Sequence, residues 1–136
     1  MKKIILLSLM ALFLMGGCSK EDEPTFNYDL DVLIGTWRVT HVMQNNGTYL
    51  DVSTPIAEMV FEPTYATFNS DGTYYGSGEF GTGSGTYKAV GNTIITYVGG
   101  KEYLKYDVLS LNVDECELKM YQTGEESSIK IKCKKQ

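Results

Sequence analysis

Cys116 and Cys133 are the residues of this chain best placed to form a bond. They flank a short polar tip, 122–127, and each closes a segment in which apolar and charged residues alternate. Pairing Gln122 with Ser127 sets Met120 against Ile129, Leu118 against Ile131 and Cys116 against Cys133. All six then share one face, while Glu117, Lys119, Lys130 and Lys132 share the other. Opposed cysteines on adjacent strands meet disulfide geometry when their pair is the non-hydrogen-bonded kind. The register therefore predicts a structural disulfide, with two reduced core thiols as the alternative. Closing a loop of about sixteen residues would stabilise the fold by roughly 3 kcal/mol in the chain-entropy account.

Other candidate chemistry is sparse. His41 is the only histidine, so a nucleophile–base hydrolase or a typical zinc site would have to use it. No Cys-x-x-Cys or His-x-x-x-His spacing accompanies it, and it reads as a polar residue near the mouth of a barrel. We assign no catalytic residue, no metal and no cofactor. Gly76, Gly78, Gly81, Gly83 and Gly85 superficially resemble a phosphate loop, but such loops feed a helix N-terminus. These lie between strands, where glycine lets a sheet bend. The 69–73 segment has oxygen ligands without calcium-loop spacing or its terminal glutamate, and reads as a turn. Glu125 and Glu126 sit in a solvated tip. Ten tyrosines against five phenylalanines suit a cavity with a polar ligand or a protein interface. Phe68, Tyr74, Tyr87 and Tyr106 fall on the inward parity with Trp37. They are the candidate ligand-binding residues, or else the filling of a narrow barrel.

The N-terminus has a different character. Lys2 and Lys3 precede an apolar run over 4–15 broken only by Ser8. That run suits the h-region of a secretory leader and is shorter than the roughly 20 residues of a membrane-spanning helix. Leu14-Met15-Gly16-Gly17-Cys18 resembles a bacterial lipobox. The resemblance implies cleavage before Cys18 and acylation of that cysteine, and two or more acyl chains anchor stably where one does not. Ser19-Lys20-Glu21-Asp22-Glu23 resembles the lysine-plus-acid export signal of surface lipoproteins, and its composition is that of a solvated linker. The expected division is a signal peptide over 1–17, an acidic tether over 18–27 and one folded domain over 28–136. Removing the leader leaves 119 residues and moves the formal charge from −5 to −7. A domain so acidic lacks the basic patch that nucleic acid requires. It is long enough to bury one real core.

Past the tether the chain reads as strands and turns. Asn27 is expected to cap a helical turn over 28–33. Strands are then predicted over 36–43, 56–61, 65–68, 73–80, 84–90, 93–98, 102–113, 116–122 and 127–134, with a short strand or loop over 49–52. In the first, Trp37, Val39, His41 and Met43 share a face. Apolar parity in 102–113 switches between Val108 and Leu109, the mark of a β-bulge. Consecutive short strands with tight turns predict an all-β antiparallel up-and-down meander. Closing it into a barrel of about eight strands removes its edges; a two-sheet sandwich is the alternative.

Gly35-Thr36-Trp37 at the head of the first strand, the Asn-Ser-Asp-Gly-Thr turn at 69–73 and Gly85-Thr86-Tyr87 resemble the lipocalin pattern over about 28–134. The resemblance implies that Gly35 and Trp37 form the base of the barrel. The family's arginine late in the barrel, which covers the tryptophan, has no counterpart: Arg38 is the only arginine. The expected function is a lipoprotein of the outer membrane, facing the cell surface and held there through Cys18. Its barrel would bind a small apolar or amphipathic ligand without catalysis. The alternative is a filled barrel whose loops contact a protein or glycan. A continuous apolar cavity of roughly 300 Å³ or more would favour the cup.

Overall fold

The structure, a computed structural model, describes residues 25–136. The leader, Cys18 and the tether through residue 24 lie outside the described residues. A single helical turn, α1 (Leu30–Leu33), leads into β1 (Gly35–Met43), β2 (Tyr49–Asp51), β3 (Tyr65–Phe68), β4 (Thr73–Ser77) and β5 (Gly83–Val90). These are followed by β6 (Thr93–Val98), β7 (Lys101–Leu111), β8 (Glu115–Tyr121) and β9 (Ser128–Lys135). From β3 to β9 each strand pairs antiparallel with the next. β3 pairs with the first half of β1, and β9 returns to pair along its other side. Eight strands thus close into a barrel, and β2 adds a short hairpin arm to the second half of β1. Closure satisfies the backbone groups that an open meander would leave at two edges.

The barrel has a floor and a rim. α1, the turns after β3, β5 and β7, and both ends of the described chain gather at the floor. The chain enters there: Gly91 N–H donates to the Thr25 carbonyl (2.9 Å) and Asn27 N–H donates to the Gly91 carbonyl (2.8 Å). Backbone contacts with the barrel thus reach back to Thr25. Asn27 does not cap α1, since its amide donates to the Asn92 side chain (2.7 Å). The cap is Asp29, which accepts from Asp31 N–H (2.9 Å).

Three bulges shape the wall. The one expected in β7 falls between Val108 and Ser110. A second lies nearer the start of β7, where Tyr103 and Leu104 together oppose Thr96 between the Ile95–Lys105 and Tyr97–Glu102 pairs. There the buried Thr96 hydroxyl donates to the Leu104 carbonyl (2.8 Å) and accepts its N–H (3.0 Å), replacing the ladder bonds the bulge removes. The third is at Thr40 in β1, where Cys133 pairs with Val39 and Lys132 with His41. It reverses the parity of β1: Trp37 and Val39 face the core, whereas His41 joins Lys132 on the outer wall.

The predicted strand over 56–61 is absent. Ala57–Met59 forms a 3₁₀ turn instead. The Ala57 N–H donates to Thr54 Oγ1 (3.1 Å) and the Glu58 N–H to the Thr54 carbonyl (3.0 Å), winding the chain just after Pro55. With β1 already flanked by β2, β3 and β9, no edge remains for this segment. β4 also stops at Ser77, three residues before the predicted end. Gly78 turns there with φ 105° to pass close over Thr64.

Candidate functional site

The base of the barrel is assembled from both ends of the domain. Trp37 is 2 % exposed, and its indole N–H donates to the Leu33 carbonyl at the end of α1 (2.8 Å). Lys135, from the last strand, places its ammonium 4.9 Å from the centre of the indole. The same ammonium donates to the carbonyls of Val32 (2.5 Å) and Ile34 (2.8 Å). Gly35, at φ 135°, makes this possible. A Cβ there would lie 3.2–3.3 Å from the end of the lysine stem, so the missing side chain is the slot in which Lys135 lies. Lys135 therefore fills the place for which the sequence offered no arginine.

The signal for Lys135 was available. Ile129, Ile131 and Cys133 share the inward parity, and the next position of that parity is 135. Lys135→Met keeps the stem and removes the charge. We expect it to cost about 2–3 kcal/mol, the range for charge-assisted hydrogen bonds plus a cation–π contact, read as a lower urea midpoint by circular dichroism.

The four aromatic residues singled out as ligand-binding candidates meet inside the barrel, packed on one another. Phe68 is the hub, with ring centroids 5.6 Å from Tyr74, 5.1 Å from Tyr87 and 6.4 Å from Tyr106. Phe68, Tyr74 and Tyr106 are buried, and the Tyr87 hydroxyl reaches the Asn69 carbonyl (2.9 Å). The rim is closed above them. Phe61 and Phe80 meet edge to face (5.8 Å), the Tyr103 hydroxyl donates to the Phe80 carbonyl (2.6 Å), and Glu79 N–H donates to Thr64 Oγ1 (2.8 Å). What remains is a cavity of about 30 Å³, the space of one water molecule. The rings occupy the volume a ligand would need.

Cys116 and Cys133 stand directly opposite each other, in the register read from the sequence. The bond expected between them is not formed: both are free, buried thiols. The hydrogen-bond phase explains this. Lys135 N–H donates to the Asp114 carbonyl (2.7 Å), and pair types alternate residue by residue. The cysteine pair, two residues along, is thus also hydrogen-bonded. Such pairs hold Cβ atoms near 5.5 Å, against the 3.5–4.5 Å of a disulfide. Hydrogen bonding to Cys116, then burial, then the neighbouring thiol's charge raise the Cys133 pKa well above its ordinary value.

Outside the barrel, register aligns Ser110, Glu117, Lys132, His41 and Asp51 as neighbours across five strands. Tyr49 lies over this row. Its hydroxyl bonds Glu117, the Lys132 ammonium sits 4.6 Å from its ring centre, and His41 meets it edge-on at 6.3 Å. His41 Nδ1 is 2.9 Å from Thr40 Oγ1, and Nε2 is 4.0 Å from Asp51. Burial, the Glu117 hydrogen bond and the Glu117 charge together push the Tyr49 pKa up to about 12. Any stability this lends is complete below the unfolded value of 10.0 and is lost as pH rises through about 12. Glu117→Gln removes the charge but not the burial. It is expected to move the Tyr49 pKa part of the way back, measured by ultraviolet titration of tyrosinate with Tyr49→Phe as the blank.

Among the described residues the most exposed large apolar side chains are Ile56, Met59 and Val60 on the rim loop, at 80 %, 82 % and 84 %. An ion pair from Arg38 to Glu58 (2.5 Å) ties the loop to the wall beneath.

An eight-stranded antiparallel barrel, entered past a helical turn and floored by a buried indole, defines the class as a lipocalin-type barrel. The family model described as a lipocalin-like domain matches residues 33–120, and the chain belongs to that family. No curated protein matches the chain.

Proposed function

We propose that this protein is a lipid-anchored, non-catalytic interaction module, rigid and filled inside, whose rim meets a protein partner. The observation that carries this reading is the interior volume. About 30 Å³ is a tenth of the roughly 300 Å³ at which small-molecule pockets begin. The partner class follows from the rim: three neighbouring apolar side chains held in solvent suit an apolar protein surface better than a glycan. Orientation is consistent with this. The resemblance of residues 14–18 to a lipobox supports an anchor at Cys18, and the described chain enters at the floor, so a barrel anchored in this way presents its rim away from the membrane. An outer-membrane, surface-facing location follows from the resemblance of residues 19–23 to an export signal.

Family membership favours the other reading, a small apolar ligand in the cup. Native mass spectrometry of the protein purified from its own host separates the two. The acylated polypeptide alone is the expected mass, and a retained small molecule would overturn the filled-barrel reading. For the rim, a photo-crosslinker at position 59 in the host should capture one discrete protein. The combined change Ile56→Ser, Met59→Ser and Val60→Ser should remove the complex while leaving thermal unfolding unchanged.

A further inference from the structure

We propose that Cys116 and Cys133 form a two-coordinate site for a soft monovalent cation, Cu(I) being the biological candidate. The argument begins with spacing. A hydrogen-bonded pair is too wide for a sulfur–sulfur bond but suited to a bridging atom. Two metal–sulfur bonds in line, taken at about the 2.3 Å of a zinc–thiolate bond, set the sulfurs about 4.6 Å apart, within reach of Cβ atoms near 5.5 Å.

The donor set points the same way. Both ligands are soft sulfur, which selects Cu(I) over hard cations. Among the described residues no group of three or more His, Cys, Asp or Glu is placed to hold a metal, so the four ligands that structural zinc requires are not at hand. Both residues line the 30 Å³ interior cavity, which has room for one bare ion.

Charge also has named parts. Across the wall from the thiols, Glu115, Glu117 and His41 line an outer polar groove together with Lys132 and Lys134. Binding releases one proton from each thiol to solvent and forms two metal–sulfur bonds. No electron is transferred, and the site changes from neutral to one negative charge. Tyr106, buried, lines the same interior cavity with its hydroxyl hydrogen-bonded to Tyr74.

The test uses the full-length purified protein, kept reduced and anaerobic. It is titrated with Cu(I) against a competing Cu(I) chelator, and separately with Ag(I). Expected are one equivalent bound per chain, an ultraviolet thiolate-to-copper charge-transfer band and quenching of Trp37, which lines the same cavity. Cys116→Ser and Cys133→Ala, each checked for fold by circular dichroism, should weaken binding at least 100-fold. Zn(II) should not compete. Absence of stoichiometric binding, binding that survives either variant, or a mass showing the cysteines already bonded in the unreduced native protein would each overturn the assignment.

Discussion

Trp37→Ala is expected to cost about 3–5 kcal/mol, the range for truncating a large buried aromatic residue. The domain as a whole should have only about 5–15 kcal/mol, so most of the variant's fold is at stake. Three losses coincide. The indole leaves a cavity over the floor, the Leu33 carbonyl loses its donor, and Lys135 loses the ring beneath its ammonium. Trp37→Phe restores part of the volume but not the N–H, and should fall between, near 1–3 kcal/mol. Because Trp37 is the only tryptophan, unfolding must be followed by far-ultraviolet circular dichroism in urea. A midpoint unchanged by the alanine would refute the role given to the floor.

Gly85→Ala is expected to be at least as damaging, while Gly83→Ala, two residues away on the same strand and face, should be tolerated. A Cβ at Gly85 would overlap the carbonyl oxygen of Tyr97, a backbone atom of the paired strand that moves only if β5 and β6 separate. A Cβ at Gly83 would meet Val98 methyls at 3.6 and 3.8 Å, ordinary contact. Overpacking that side chains can absorb costs typically 1–3 kcal/mol. Gly85→Ala should exceed that and leave little folded protein. Gly83→Ala should change stability by less than about 1 kcal/mol, with the smaller chain entropy of alanine in its favour. Thermal melts of the two variants side by side give the comparison. Equal behaviour would show that β5 and β6 do not approach as described.

These variants mark the limit of what periodicity conveys. Glycines 83 and 85 look alike in the sequence, both set among alternating strand residues. Only the close approach of the Tyr97 carbonyl to Gly85 in the folded sheet distinguishes them. The same holds in β1, where Trp37, Val39, His41 and Met43 alternate without a break. The bulge at Thr40 arises from matching β1 to β9 on closure, and so nothing local announces it. In β7, by contrast, the parity switch at Val108–Leu109 is written into the residues, and the bulge was legible. The β8–β9 register was legible too, since a slip of one residue would have exposed Leu118, Met120 and Ile131. Whether that register bonds the two cysteines was not, because hydrogen-bond phase leaves no mark on side-chain alternation.

Sequence by itself determined most of the strands and turns, their antiparallel order and the opposition of Cys116 to Cys133, which follow from local alternation, turn chemistry and the need to bury one face. The floor at Gly35 and Trp37 came from the resemblance to the lipocalin pattern. Tertiary structure alone decided that four aromatic rings pack together and leave an interior cavity of about 30 Å³, that Lys135 covers the indole and that residues 56–60 wind into an exposed turn. These depend on how far each strand is staggered and bent when the sheet closes. That is a property of all eight strands together, and no single stretch of residues encodes it.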